Sequence, residues 1–155
     1  MKKLFIIIGV IVGIGIAYWL ISPLFIDRKV NEKLEDIVPS SDAGMPQVME
    51  TLTIGQGSFT GLLGHHAEGT AKLIQLGERR FVRFEDDFKV TNGPDLFVYL
   101  GKNGAYDPNA RLAPLKGNIG SQQYEIPPTM QIQNYTEVWV WCRSFSVPFG
   151  KAVLH

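Results

Sequence analysis

Residues 70–84 read TAKLIQLGERRFVRF. Two apolar-rich runs, Thr70–Leu76 and Arg79–Phe84, flank the dipeptide Gly77-Glu78. In the second run Arg80, Val82 and Phe84 alternate with Arg79, Phe81 and Arg83, the period of two that a strand requires. A link this short between such runs predicts a β-hairpin. The same signature recurs outward from it. Upstream, Thr51–Ile54 and Gly57–Gly61 are brief β-like runs. Downstream, Phe88–Val90 leads into the turn string Asn92-Gly93-Pro94-Asp95. Leu96–Leu100 then places apolar or aromatic groups on both faces, as a central strand does. Gly101–Pro114, rich in Gly, Asn, Asp and Pro, reads as a long surface loop. Gln122–Ile126, Val138–Cys142 and Lys151–His155 supply further strands. Short strands, frequent turns and no long helical period predict an all-β domain over residues 47–155. Its expected form is an antiparallel β-sandwich, with a β-barrel as the alternative.

The N-terminal part has a different grammar. Leu4–Ile21 reads LFIIIGVIVGIGIAYWLI, without a charge. As a helix it would rise roughly 27 Å, close to the ~30 Å hydrocarbon core. Lys2 and Lys3 precede it, and Tyr18 and Trp19 stand near its far end, as the positive-inside and aromatic-belt rules favour. Residues 1–22 therefore read as a transmembrane signal-anchor, with residues 4–21 in the membrane. That gives a single-pass membrane protein with a cytoplasmic N-terminus and an extracytoplasmic C-terminal domain. A cleaved signal peptide is the competing reading, with Gly15-Ile16-Ala17 as its cleavage motif, but the apolar run continues past it. Residues 23–46 read as a juxtamembrane helix and linker. Val30, Leu34 and Ile37 form a helical stripe within Asp27–Val38, and Pro39–Pro46 looks like a spacer.

Composition narrows the function classes. The 15 Lys+Arg balance the 15 Asp+Glu, and 45% of residues are hydrophobic. Such a chain is neither disordered nor an evident nucleic-acid binder. Residues 31–155 carry 11 basic and 14 acidic residues, a formal net charge of −3. One cysteine precludes an internal disulfide framework and a cysteine-rich zinc site. No nucleotide-binding glycine loop, Gly-x-Ser-x-Gly elbow or His-Glu-x-x-His motif is present, so hydrolase and nucleotide-dependent functions have no sequence support.

Candidate chemistry centres on few residues. In Val138-Trp139-Val140-Trp141-Cys142, period-two geometry puts Cys142 on one face with Val138 and Val140, and the tryptophans on the other. Cys142 is then a small buried apolar residue or a functional thiol: half of a partner disulfide, a ligand, or a redox group. His65 and His66 point to opposite faces if they lie in a strand, so they would not chelate one ion together. Either could join Cys142 in a mixed site, because soft metals and haem iron accept both thiolate and imidazole. Alone, each is more simply a hydrogen-bonded structural histidine. Asp86, Asp87 and Asp95 match no calcium-loop spacing and read as turn and capping residues. Asn134-Tyr135-Thr136 fits the glycosylation triplet, which matters in a eukaryotic secretory pathway.

Several stretches carry a family resemblance. They are Gly57-Ser58-Phe59, His65–Thr70, Phe84–Val90, Asn92–Leu96 with Val98-Tyr99-Leu100, Leu115–Gly120 with Gln123-Tyr124, and Val138–Cys142. Phe145, Val147, Phe149-Gly150 and Ala152 extend the set. In order and spacing, residues 55–155 resemble the DM13 family, which is held to be akin to DOMON-type domains. The resemblance implies a β-sandwich-type electron-transfer module. The family's C-terminal cysteine falls on Cys142, and the resemblance implies redox chemistry there, as a bare thiol or as the ligand of a haem or transition metal. The expected function is a membrane-tethered redox module with an unidentified redox partner protein. The alternative is a non-enzymatic cell-surface binding or adhesion module, with recognition by the Gly101–Pro114 loop and a structural Cys142.

Overall fold

The computed structural model describes residues 2–21, 26–37 and 51–155, with side chains in the N-terminal helix from 3 to 18 and at 21. The side chains of Lys2, Trp19 and Leu20, residues 22–25, Val38, the expected spacer 39–46 and residues 47–50 lie outside the described residues.

Helix α1 is Lys2–Ile21. Among the described residues no helix is long and apolar enough to cross a membrane. This corrects the expectation of a transmembrane helix and, with it, of a single-pass protein with an extracytoplasmic domain.

Ten strands follow among the described residues: β1 (Thr51–Gly61), β2 (Ala67–Glu68), β3 (Thr70–Leu76), β4 (Arg79–Phe84), β5 (Lys89–Val90), β6 (Leu96–Lys102), β7 (Ala105–Pro114), β8 (Gln122–Ile126), β9 (Glu137–Cys142) and β10 (Val147–Val153). Eight form one sheet in the order β7-β6-β9-β10-β1-β3-β4-β8, and β2 pairs with β5. All these strand pairs are antiparallel. The quoted hairpin forms, with Ala71 opposite Phe84 and Leu76 opposite Arg79.

The sheet curls into a nearly closed barrel-like form, which corrects the expected sandwich. Strand β1 is the cause. Its sequence reads as two brief runs, yet it is one strand of 11 residues. Thr51–Ser58 pairs with β3, whereas Phe59–Gly61 pairs with β10, so β1 joins the two halves into one sheet. A bulge between Thr53 and Gly55 bends it, and another falls between Pro148 and Gly150 of β10. Bulges add local twist and bend a strand, which lets a sheet curl over its own inner face. At Gly57 a Cβ would lie 1.9 Å from the Val153 carbonyl oxygen, so β1 and β10 meet there only because the side chain is absent.

All ten strands contribute to one apolar interior, including Phe59, Phe84, Val98, Leu100, Tyr124, Val138, Val140 and Cys142. Two smaller clusters lie apart from it. Ile74, Leu76 and Phe81 pack with Leu34 and Ile37. Phe97, Tyr99 and Trp139 pack with Leu62, Tyr106 and Trp141.

Two further expectations are corrected. Residues 105–114 form strand β7 rather than a long loop, because Asn103 and Gly104 take positive φ (55° and 80°) and reverse the chain directly. β7 ends the sheet, where its two prolines are tolerated. Residues 27–33 are extended rather than helical, and only Leu34–Ile37 makes a single 3-10 turn. The backbone is drawn out because its partners lie on the domain. The Val30 and Glu32 amides donate to the Ile119 and Ser121 carbonyls, each at 2.9 Å. Residues 26–37 thus form a strap across the domain.

Candidate functional site

Strand β9 fixes the geometry of the expected site. Its alternation holds: Val138, Val140 and Cys142 are buried in the main core, while Trp139 and Trp141 belong to the outer aromatic cluster. Cys142 is 0% exposed and carries a free thiol. Its register neighbours are Leu96 on β6 and Val147 on β10.

The fold brings the histidines to the same end of the sheet. β1 ends at Gly61 opposite Gly150, and Leu62 N–H donates to the Phe149 carbonyl. The loop carrying His65 and His66 leaves from there. The His65 ring lies flat on Phe149, 3.7 Å between centroids and 10° between planes. The exposed His66 turns its Nε2 to Glu68 Oε1 at 3.2 Å, and its backbone amide donates to Thr91 Oγ1 at 2.8 Å. One imidazole is therefore committed to a phenyl face and the other to a carboxylate in solvent. His155 meets Gln56 through backbone hydrogen bonds.

A haem or transition metal ligated by Cys142 and an imidazole does not fit these residues. Thiolate ligation needs a deprotonated sulfur facing the metal. This sulfur faces the packed interior, and among the described residues no group of three His, Cys, Asp or Glu side chains could hold an ion. Nor does the adjacent cation serve it. Arg143 bonds Asp95 at 3.0 Å and lies 4.6 Å over the Phe97 ring. Asp95 also accepts from the Ser144 hydroxyl at 2.7 Å. That hydrogen bond, followed by the Arg143 guanidinium, outweighs partial burial and holds the Asp95 carboxyl below its ordinary value. Asp87 acts as a turn residue, accepting from the Thr70 amide and hydroxyl.

Two features near the site were not foreseen. One is the outer aromatic cluster, where Tyr106 stacks on Trp141 at 3.9 Å and buried Glu137 accepts from Trp139 Nε1 at 3.0 Å. The alternation of β9 carried that signal. The other is a cleft of about 580 Å³ between the strap and the start of β6. Leu96 lines this cleft and also packs in the same interior as Cys142. Nothing local in sequence pairs residues 26–28 with residues 92–97 and 114–118.

A family model described as Electron transfer DM13 matches residues 59–154. No curated protein and no solved structure matches the chain.

Proposed function

The chain belongs to the DM13 electron-transfer family, and from that premise we propose that its β-domain is an electron-transfer module with Cys142 as the redox-active side chain. The observation that carries the reading is the family match, which spans 59–154 and includes Cys142, the chain's single thiol. The burial of the sulfur sets how it would work. Because the thiol is 0% exposed, an electron would cross the packed shell around it rather than pass at direct contact with an oxidant. An electron would pass to or from a group seated against this end of the sheet, or after its loops open. The partner is a redox protein or small carrier that docks there.

The test is stoichiometric oxidation of the full chain by ferricyanide: two ferricyanide ions each take one electron by outer-sphere transfer, and the Cys142 thiol with one water yields the sulfenic acid and two protons. The electrons taken up are counted, and the modified residue is located by mass spectrometry. The expected result is oxidation at Cys142 in the wild type and its loss in a folded Cys142→Ser variant. Equal oxidation of both proteins would remove Cys142 from the account.

One observation favours a second reading. With no metal-ligand set around it among the described residues and its neighbouring cation turned to Asp95, Cys142 has the surroundings of a core residue. In that reading the domain is a binding module and Cys142 is structural. Partner binding that survives Cys142→Ala would support it.

A further inference from the structure

The cleft beneath the strap has properties that select a ligand. Its walls include Ile26, Pro94, Leu96, Phe97, Pro114 and Leu115, all apolar. Its volume, about 580 Å³, lies in the ~300–1,000 Å³ range of small-molecule sites. Of the wall residues, Ile26 is 57% exposed.

The polar groups around it are almost all used. Asp27 accepts from Asn92 Nδ2 at 3.0 Å and from Asn118 Nδ2 at 2.8 Å. Asp95 is held by Arg143 and Ser144. Lys116 Nζ lies 2.7 Å from Glu32 Oε1 and also donates to the Gln123 carbonyl. Arg28 differs. Its backbone amide donates to Asn118 Oδ1, but its guanidinium has no ion-pair or hydrogen-bond partner among the described residues. The cleft thus has apolar walls and, in Arg28, a cationic lining residue whose guanidinium is unpaired among the described residues, and both its carboxylates are already engaged. A cationic ligand would find no unpaired carboxylate. A flat apolar ring bearing acceptor oxygens would satisfy both the walls and Arg28.

We propose that this cleft binds a planar organic carrier of the quinone class, with a carbonyl oxygen toward Arg28. The inference rests on the electron-transfer reading above and deepens it. The ligand would be held by packing and hydrogen bonding, so it needs no coordinating side chains. Leu96, shared between the cleft and the interior, is the side chain that links such a ring to the surroundings of Cys142.

The test is calorimetric titration of the full chain with menadione, a naphthoquinone, and with 2-methylnaphthalene, which has the ring without the oxygens. Wild type is expected to bind menadione saturably at one per chain, and more tightly than 2-methylnaphthalene. Ile26→Trp, which puts a larger side chain at an exposed wall of the cleft, should weaken both ligands at least tenfold. Arg28→Gln should weaken menadione roughly tenfold, the loss expected for one charge-assisted hydrogen bond, and leave 2-methylnaphthalene unchanged. Absence of saturable menadione binding overturns the proposal, as does binding that neither substitution changes. Equal affinity for the two ligands overturns the quinone assignment. Menadione binding by a chain that ferricyanide does not oxidise at Cys142 keeps the cleft and sinks the redox role of the thiol. Oxidation at Cys142 without menadione binding does the reverse.

Discussion

The two outlying apolar patches of the sheet are covered in opposite ways. Over β3 and β4, Ile74, Leu76 and Phe81 are roofed by Leu34 and Ile37 of the strap, which lies outside the family-matched residues 59–154. Over β6 and β9, Phe97, Tyr99 and Trp139 are roofed by Tyr106 and Trp141 of the sheet itself. Cations complete the second roof: Arg143 and Arg111 lie over the Phe97 ring, and Lys151 lies over Trp139. The first patch depends on a borrowed segment, whereas the second is built from the matched domain. The strap is therefore part of the folding unit, although the family match does not include it. Its polar contacts say the same. Arg83, 8% exposed, donates to the Glu32 carbonyl, and Arg79 donates to the Ile37 carbonyl.

The largest effect that can break this comparison is removal of residues 1–37. It uncovers three buried side chains and takes away backbone acceptors of Arg83 and Arg79. At about 1.5–3 kcal/mol for each fully re-exposed large apolar side chain, discounted because the strap covers only part of each, the loss should be about 3–5 kcal/mol. Urea unfolding of the shortened and full chains measures it. A loss below about 1 kcal/mol would mean the strap is an ornament.

A smaller effect probes the self-roofed patch. Trp139→Phe keeps a ring in place but deletes the Nε1 donor to buried Glu137. Glu137 retains the Gly104 amide at 2.8 Å, so the expected cost is about 1–2 kcal/mol. Combined with strap removal it should add within about 0.5 kcal/mol, since the two patches share no partners. Marked non-additivity in the same unfolding experiment would show that the patches are one unit.

The smallest effect concerns acid. The Asp95 carboxyl is held below its ordinary value, chiefly by Ser144. A carboxyl lowered in the folded state contributes stability above its unfolded pKa, and that contribution is lost as pH falls through the folded value. Ser144→Ala should therefore lessen the stability lost between roughly pH 6 and pH 3, by a few tenths of a kcal/mol for so exposed a pair. Urea midpoints at both pH values test this. An unchanged acid loss would detach Asp95, and the Arg143 it holds over Phe97, from the stability of the second patch.

Much of the strand inventory was legible because alternation is local. The Thr70–Phe84 hairpin and the two faces of β9 needed no more than neighbouring residues. The barrel-like closure was not legible, because it depends on β1 pairing with β3 at one end and β10 at the other. Asn103-Gly104 did announce a hairpin, but the prolines of β7 masked the strand after it. Val30, Leu34 and Ile37 do bear on packing, yet their helical spacing misled. Residues 27–33 are extended by bonds to Ile119 and Ser121, and only Leu34 and Ile37 share a turn. At the candidate site, the alternation of β9 conveyed that Cys142 faces inward with Val138 and Val140. What spacing could not convey is that His65 turns to Phe149, His66 to Glu68 and Arg143 to Asp95.

The proposed redox role of Cys142 is the claim on which the account stands. The most direct measurement is voltammetry of the full chain adsorbed on an electrode, compared with folded Cys142→Ser and Cys142→Ala variants. The account predicts a protein-borne wave in the wild type that both variants lose while keeping the β-sheet signature in circular dichroism. A wave of equal size in all three proteins would contradict it.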